Sequence, residues 1–250
     1  MTHETILLWF GDSYTVGNEL GYHYGSFDTN EYDDNILSLK WLDRERGRPD
    51  LAFPILVSKK LELDFLLLGA GGRSQYAMYM DLIDFIKQHK NANKKYVAMF
   101  CLPTQYHRCF YIEDDGTRLS APDHHILMHQ ARFSKFETTM LLNSMYTMCI
   151  THGITPMFMS TWAKIDTFSH LSVIPEECWL VGPTTTLVEE AWNFNDPPET
   201  WRTLVKTNLA IYNEFIKPCG NHPNKSGHEK LAEMVYDKIK VSTILDRKVV

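Results

Sequence analysis

Two short clusters at opposite ends of the chain carry the residue types of acyl-transfer chemistry. Near the start, Gly11-Asp12-Ser13 follows an apolar run and is followed by Gly17. Near the end, Asn221-His222-Pro223-Asn224 precedes an amphipathic stretch. A serine hydroxyl is almost wholly protonated at neutral pH and needs a base to become a nucleophile. Histidine suits that task because it ordinarily titrates near the working pH. Ser13 and His222 are therefore the candidate nucleophile and base. The tetrahedral intermediate of acyl transfer also needs donors aimed at its oxyanion. The Ser13 amide, an amide of Gly71 or Gly72 and the side-chain amide of Gln105 are the candidate donors, since glycine lets the backbone approach closely. Asp12 and Asn221 flank the pair as supporting residues. Adjacent residues on a tight turn point in different directions, so Asp12 reads as turn-forming rather than as the catalytic acid.

These clusters can meet only if the intervening elements bring them to one edge. Thr5–Phe10, residues 63–68, Lys95–Leu102 and residues 153–161 read as buried strands, with a further short strand at 178–181. Helical spacing marks residues 51–61, 74–90, 125–152, 199–216 and 226–240, the last with Leu231, Met234, Val235 and Ile239 on one face. Strand and helix in alternation predict a parallel sheet covered on both faces. Three of the strands end in polar or glycine-rich turns, at Gly11-Asp12-Ser13, at residues 69–74 and at Pro103-Thr104-Gln105. In a parallel sheet these turns share the carboxyl edge, where open α/β sheets place their ligands. Packing of the last helix on the first strand's side would bring His222 to Ser13. No repeat, low-complexity tract or linker breaks the chain, so residues 1–250 read as one domain. Long loop insertions are expected near 14–48, 103–124 and 161–198, with a turn at Asp114-Asp115-Gly116.

The bulk numbers narrow the classes. A chain of 250 residues, 44% hydrophobic and 22% charged, can bury a sizeable core. A net charge of -6 and a pI near 6.0 give no basic footprint for nucleic acid or an anionic membrane. Neither a signal peptide nor a membrane span is expected, since the first residues lack a basic region and the apolar run is short. The expected location is the cytoplasm of the producing cell. Five scattered cysteines without a CxxC pair read as free thiols. His125 and His129 could share a helical face beside His124, but no HExxH pattern or third ligand accompanies them, so no metal or cofactor is expected.

Each candidate has a structural alternative. Ser13 could cap the first helix, and His222 could be an ordinary loop histidine. His228 reads as structural, inside the last helix and bonded to a loop. Trp162, Trp179, Trp192 and Trp201, with Tyr22, Tyr24, Tyr32 and Trp41, read first as packing and second as a sugar-stacking surface. Arg73 and Arg108, near strand ends, could bind an anion.

Taken together, the blocks resemble the SGNH hydrolases, also called the GDSL esterase/lipase family. Gly11-Asp12-Ser13 is similar to the first block, Gly69-Ala70-Gly71-Gly72 to the second, and His222-Pro223-Asn224-Lys225-Ser226-Gly227-His228 to the last, HPNxxGH. The resemblance runs from residue 5 to residue 238. It implies a flavodoxin-like three-layer α/β/α sandwich around a parallel sheet of about five strands. It also implies hydrolysis of an ester, most readily an O-acyl or O-acetyl group on a carbohydrate, without a metal. Two positions depart from the pattern. The third block, Gly-x-Asn-Asp in the family, corresponds to Pro103-Thr104-Gln105-Tyr106, where Gln105 would have to replace the asparagine amide. The aspartate that precedes the histidine by three residues is Cys219. A thiol does not support an imidazolium as a carboxylate does, and loss of a triad acid costs orders of magnitude unless another group, such as Asp196, takes its place. The departures resemble divergent members encoded by bacteriophages. They leave a second reading open: a protein of this fold with weak or no catalysis, serving in binding or as a virion-associated component. The oligomeric state is not legible.

Overall fold

The computed structural model describes residues 5–17, 20–24, 48–69, 74–88, 90–91, 93–102, 111–112, 118–119, 131–161, 164–165, 167–193, 208–217, 219, 222–242 and 244–246. Seven strands and seven α-helices lie among them. The strands are β1 (Thr5–Phe10), β2 (Asp64–Leu67), β3 (Lys95–Leu102), β4 (Tyr111–Ile112), β5 (Arg118–Leu119), β6 (Ile154–Ser160) and β7 (Trp179–Val181). The helices are α1 (Leu20–Tyr24), α2 (Phe53–Leu61), α3 (Gln75–Gln88), α4 (Ala131–Thr151), α5 (Leu187–Trp192), α6 (Leu209–Phe215) and α7 (Lys225–Val241).

Five strands form one parallel sheet in the order β2-β1-β3-β6-β7. Strands β1 and β3 read as unbroken apolar runs because both of their faces are covered. Leu7, Trp9, Val97, Met99, Met157 and Met159 face one layer, with Phe53, Ile55 and Val57 of α2 and Leu231, Val235 and Ile239 of α7. Ile6, Leu8, Phe10, Ala98, Phe100 and Phe158 face the other, with Met78, Leu82 and Phe85 of α3 and Leu142 and Met145 of α4. The period-two alternation of a strand thus divides β1 between two cores and makes three layers. The fold is the α/β sandwich expected from the sequence.

An aromatic row crosses the sheet just below its carboxyl edge. Phe10 pairs in register with Phe100, and Phe100 with Phe158. Their rings stack at 4.9 and 5.1 Å, and Trp179 follows Phe158 at 5.5 Å. On the opposite face, the Trp9 indole donates to Ser58 Oγ at 2.9 Å, and that hydroxyl donates to the Pro54 carbonyl. The polar edge of a buried tryptophan is thereby satisfied and β1 is tied to α2.

The region near 161–198 holds the short strand expected at 178–181, here β7, whose Val181 pairs with Met159, and it also holds α5, whose Leu187 lies in the α2/α7 core. Thr186 caps α5 by accepting the Glu189 amide at 3.0 Å. A Thr-x-x-Glu capping signature was present in the sequence there, masked by neighbouring Pro183 and Trp192. The two-residue strands β4 and β5 pair antiparallel on either side of residues 113–117; the turn expected at Asp114-Asp115-Gly116 lies outside the described residues.

Candidate active site

Strand β1 runs into a tight turn rather than a helix. The Asp12 carbonyl accepts the amides of Thr15 at 3.0 Å and Val16 at 3.2 Å, and α1 begins only at Leu20. Ser13 therefore sits on the turn at the carboxyl end of the strand and not at a helix cap. Two glycines allow the tightness. A Cβ on Gly11 would stand 1.8 Å from Thr15 Oγ1, and one on Gly69, at the end of β2, would stand 2.9 Å from the Gly11 carbonyl oxygen. The two adjacent parallel strands thus bring their terminal turns into backbone contact.

The second cluster is held by Asn224. Its Oδ1 accepts the Gly227 amide at 2.9 Å, which caps α7. Its Nδ2 donates to the Glu214 and Lys217 carbonyls at 2.9 and 2.8 Å, and its own amide donates to the Phe215 carbonyl at 2.8 Å. This saturated side chain pins the loop between α6 and α7. Within that loop the Cys219 amide donates to Ile216, and the His222 amide donates to the Cys219 carbonyl. Cys219 is fully buried and forms no disulfide. Packing of α7 against α2 and β1 then sets His222 beside the nucleophile turn, because the start of α7 lies at the carboxyl edge of the sheet.

The two clusters meet. His222 Nε2 lies 2.9 Å from Ser13 Oγ across 209 residues of chain. For the hydroxyl to donate into Nε2, the ring carries its proton on Nδ1, which is shielded from solvent. Ser13, Tyr14 and His222 are all half-buried. Tyr14 lays its ring against the imidazole, with centroids 4.9 Å apart and planes inclined by 39°. From the sequence Tyr14 reads only as the start of a short helix and the long loop that follows it. Its position one residue beyond Ser13 was the available signal.

Asp12 is buried, and its Oδ1 accepts the Tyr14 amide at 3.0 Å. Burial pushes its carboxyl up to about 7, against the backbone hydrogen bonds that pull it down. Beneath it the Cys101 thiol is raised by burial and by the Asp12 charge, while a hydrogen bond with Thr15 opposes that rise. His228 is fully buried, stacks on Phe53 and accepts the Phe53 amide at Nδ1 over 3.3 Å. Burial, and then the charge of nearby His222, lower its pKa to about 3, so it stays neutral.

Gly71, Gly72, Gln105 and Asn221 lie outside the described residues, as do Arg73, Arg108, Asp196 and the histidines at 124, 125 and 129. Trp162, Trp201, Tyr32 and Trp41 lie outside as well. Trp179 and Trp192 are half-buried against the cores, whereas Tyr22 and Tyr24 are exposed. Among the described residues no group of three His, Cys, Asp or Glu side chains could hold a metal ion, and no helix is long and apolar enough to cross a membrane.

The sheet order, the two helical layers and the turn at the end of β1 define the SGNH hydrolase fold. Among solved structures the chain is similar to TesA, at 15% identity over 94% of this chain and 98% of that one, with a TM-score of 0.51. A member of the lipolytic protein G-D-S-L family from Veillonella parvula DSM 2008 is 17% identical over 96% and 98% of the two chains, with a TM-score of 0.43. A carbohydrate esterase with divergent catalytic and non-catalytic binding functions is 12% identical over 96% and 70%, at 0.46. No family model and no curated protein matches the chain. At these identities the likeness is one of fold.

Proposed function

We propose that the chain is a serine esterase, with Ser13 as nucleophile and His222 as general base. The observation that carries this reading is the 2.9 Å approach of Ser13 Oγ to His222 Nε2 at the carboxyl edge of the sheet. In it, Oγ attacks the ester carbonyl while Nε2 takes the hydroxyl proton. The same proton passes to the leaving alkoxide as the carbonyl re-forms, and water, activated by His222, then releases the acid from Ser13. The oxyanion is received by the Ser13 amide, by an amide of Gly71 or Gly72, and by Gln105. The substrate class is an O-acyl or O-acetyl group on a carbohydrate. The test is turnover of p-nitrophenyl acetate together with labelling by a fluorophosphonate probe. The parent protein should turn over the ester and become labelled at Ser13, and Ser13→Ala and His222→Ala should lower turnover at least a thousandfold. Folded parent protein that neither turns over the ester nor is labelled would overturn the proposal.

One observation favours a second reading. Cys219 stands where a carboxylate would support His222, so catalysis could have given way to binding, for example within a virion. In that case Ser13→Ala would leave the biological phenotype intact while substitutions on the surface loops abolish it.

A further inference from the structure

We infer that Tyr14 is a positioning residue for His222, its ring face orienting the imidazole and stabilising the imidazolium that forms when Ser13 gives up its proton. The catalytic part of this inference rests on the esterase reading; the ring contact itself does not.

Four observations converge on it. The Tyr14 and His222 rings lie within 4.9 Å, inside the range over which a cation is drawn to an aromatic face. Tyr14 follows Ser13 directly, so one turn carries both the nucleophile and the ring that backs its base. The turn is braced from below, where the buried Asp12 carboxyl accepts the Tyr14 amide at 3.0 Å. The ring is also braced from the side, packed against the small buried cluster of Val188 and Ile216. A rigid ring held at both backbone and side chain can fix the orientation of an imidazole that touches it. His222 is half-buried, so its cation is less hydrated than in open water, and an aromatic face counts for more there.

Among the described residues, the other titratable groups near His222 or on the elements beside it are the same in any Tyr14 variant. Asp12 lies under the turn, Cys219 lies in the loop of His222 itself, and His228 stands on the first turn of α7. Helix α5 carries Glu189 and Glu190, which pair with Lys164 and Lys238. Helix α6 carries Tyr212 and Glu214, with Lys217 just beyond it, and Lys230 of α7 lies over the Phe215 ring. A difference between Tyr14 variants therefore reports the ring.

The test is an NMR titration of the His222 imidazole in the full chain, assigned by its loss in His222→Gln. It is run on the parent, Tyr14→Phe, Tyr14→Trp and Tyr14→Leu, each checked for folding by circular dichroism, with pH profiles of kcat and KM on p-nitrophenyl acetate alongside. Removing an attractive face disfavours the cation, so Tyr14→Leu should lower the His222 pKa by about half a unit or more. The acid limb of its kcat/KM profile should move to lower pH and kcat should fall about tenfold with KM little changed. Tyr14→Phe should titrate with the parent, and Tyr14→Trp at or above it. An unchanged His222 titration in folded Tyr14→Leu overturns the inference. If Tyr14→Leu does not fold, a Tyr14→Trp variant titrating below the parent overturns it. A parent that turns over no ester while its titration still separates phenylalanine from leucine at residue 14 sinks the esterase reading and leaves the ring contact intact.

Discussion

Beneath the nucleophile turn, Asp12 and His228 are two buried titrating groups whose effects on stability have opposite sign. Burial holds the Asp12 carboxyl at about 7, above its ordinary value of 3.8. Between those values the folded chain keeps a proton that the unfolded chain releases, so this contribution to stability falls as pH rises through the window and stays lost above it. Asp12→Asn should therefore gain on the parent as pH rises, by on the order of 3–4 kcal/mol in urea melts at pH 8 relative to pH 4. A gap that does not widen with pH would contradict the burial of a titrating carboxyl here. His228 runs the other way. Its folded pKa of about 3 lies below 6.5, so its contribution is complete above pH 6.5 and is lost as pH falls toward 3. His228→Phe should flatten that acid loss, yet cost about 1–3 kcal/mol at pH 7 because the Phe53 amide loses its acceptor. Urea melts of this variant at pH 4 and pH 7 separate the two effects. The sequence made His228 legible as a structural histidine, but the partner is not the loop expected: it is the amide of Phe53, the first residue of α2, 175 residues away and a product of folding.

At the scale of elements, the turns matter as much as the strands. Gly69→Ala would push a methyl group to 2.9 Å from the Gly11 carbonyl oxygen and 3.1 Å from Val16 Cγ1. We expect this overpacking to cost about 1–3 kcal/mol and to slow fluorophosphonate labelling of Ser13 at least tenfold, because the turn that presents Ser13 must shift. Asn224→Ala should cost about 1–2 kcal/mol through loss of the α7 cap. It should also slow labelling, since the loop carrying His222 is pinned by that one side chain. Thermal melts and probe kinetics on both variants check these outcomes. Strands β1 and β3 were readable to the residue because a run of apolar side chains bounded by polar turns has few other interpretations. Helix α5 was not, because six residues give too little periodicity to stand out from a region rich in proline and tryptophan.

For the whole molecule, two cores on opposite faces of one sheet and an aromatic row beneath its carboxyl edge hold the turns in place. Phe100 is fully buried at the centre of that row, stacked on Phe10 and Phe158. Phe100→Ala should cost about 3–5 kcal/mol, measured as a shift of the urea midpoint. Its cavity lies under the turn of Ser13, so activity should fall as well. The fold of TesA is kept at 15% identity because apolar patterning and turn residues specify this architecture, and many side chains satisfy that pattern.

By itself the sequence determined the alternation of strand and helix, the parallel sheet that follows from it, and the polar turns at the strand ends. Those are local properties, written in periodicity and in glycine, proline and asparagine placement. Only the tertiary structure decided that Ser13 and His222 stand 2.9 Å apart, that Asn224 braces the loop carrying His222, and that the Tyr14 ring lies against the imidazole. The first and last of those contacts depend on the angle at which α7 crosses the sheet. That angle is set by the summed packing of Leu231, Val235 and Ile239 against Leu7, Trp9 and α2, a sum that no short stretch of sequence contains.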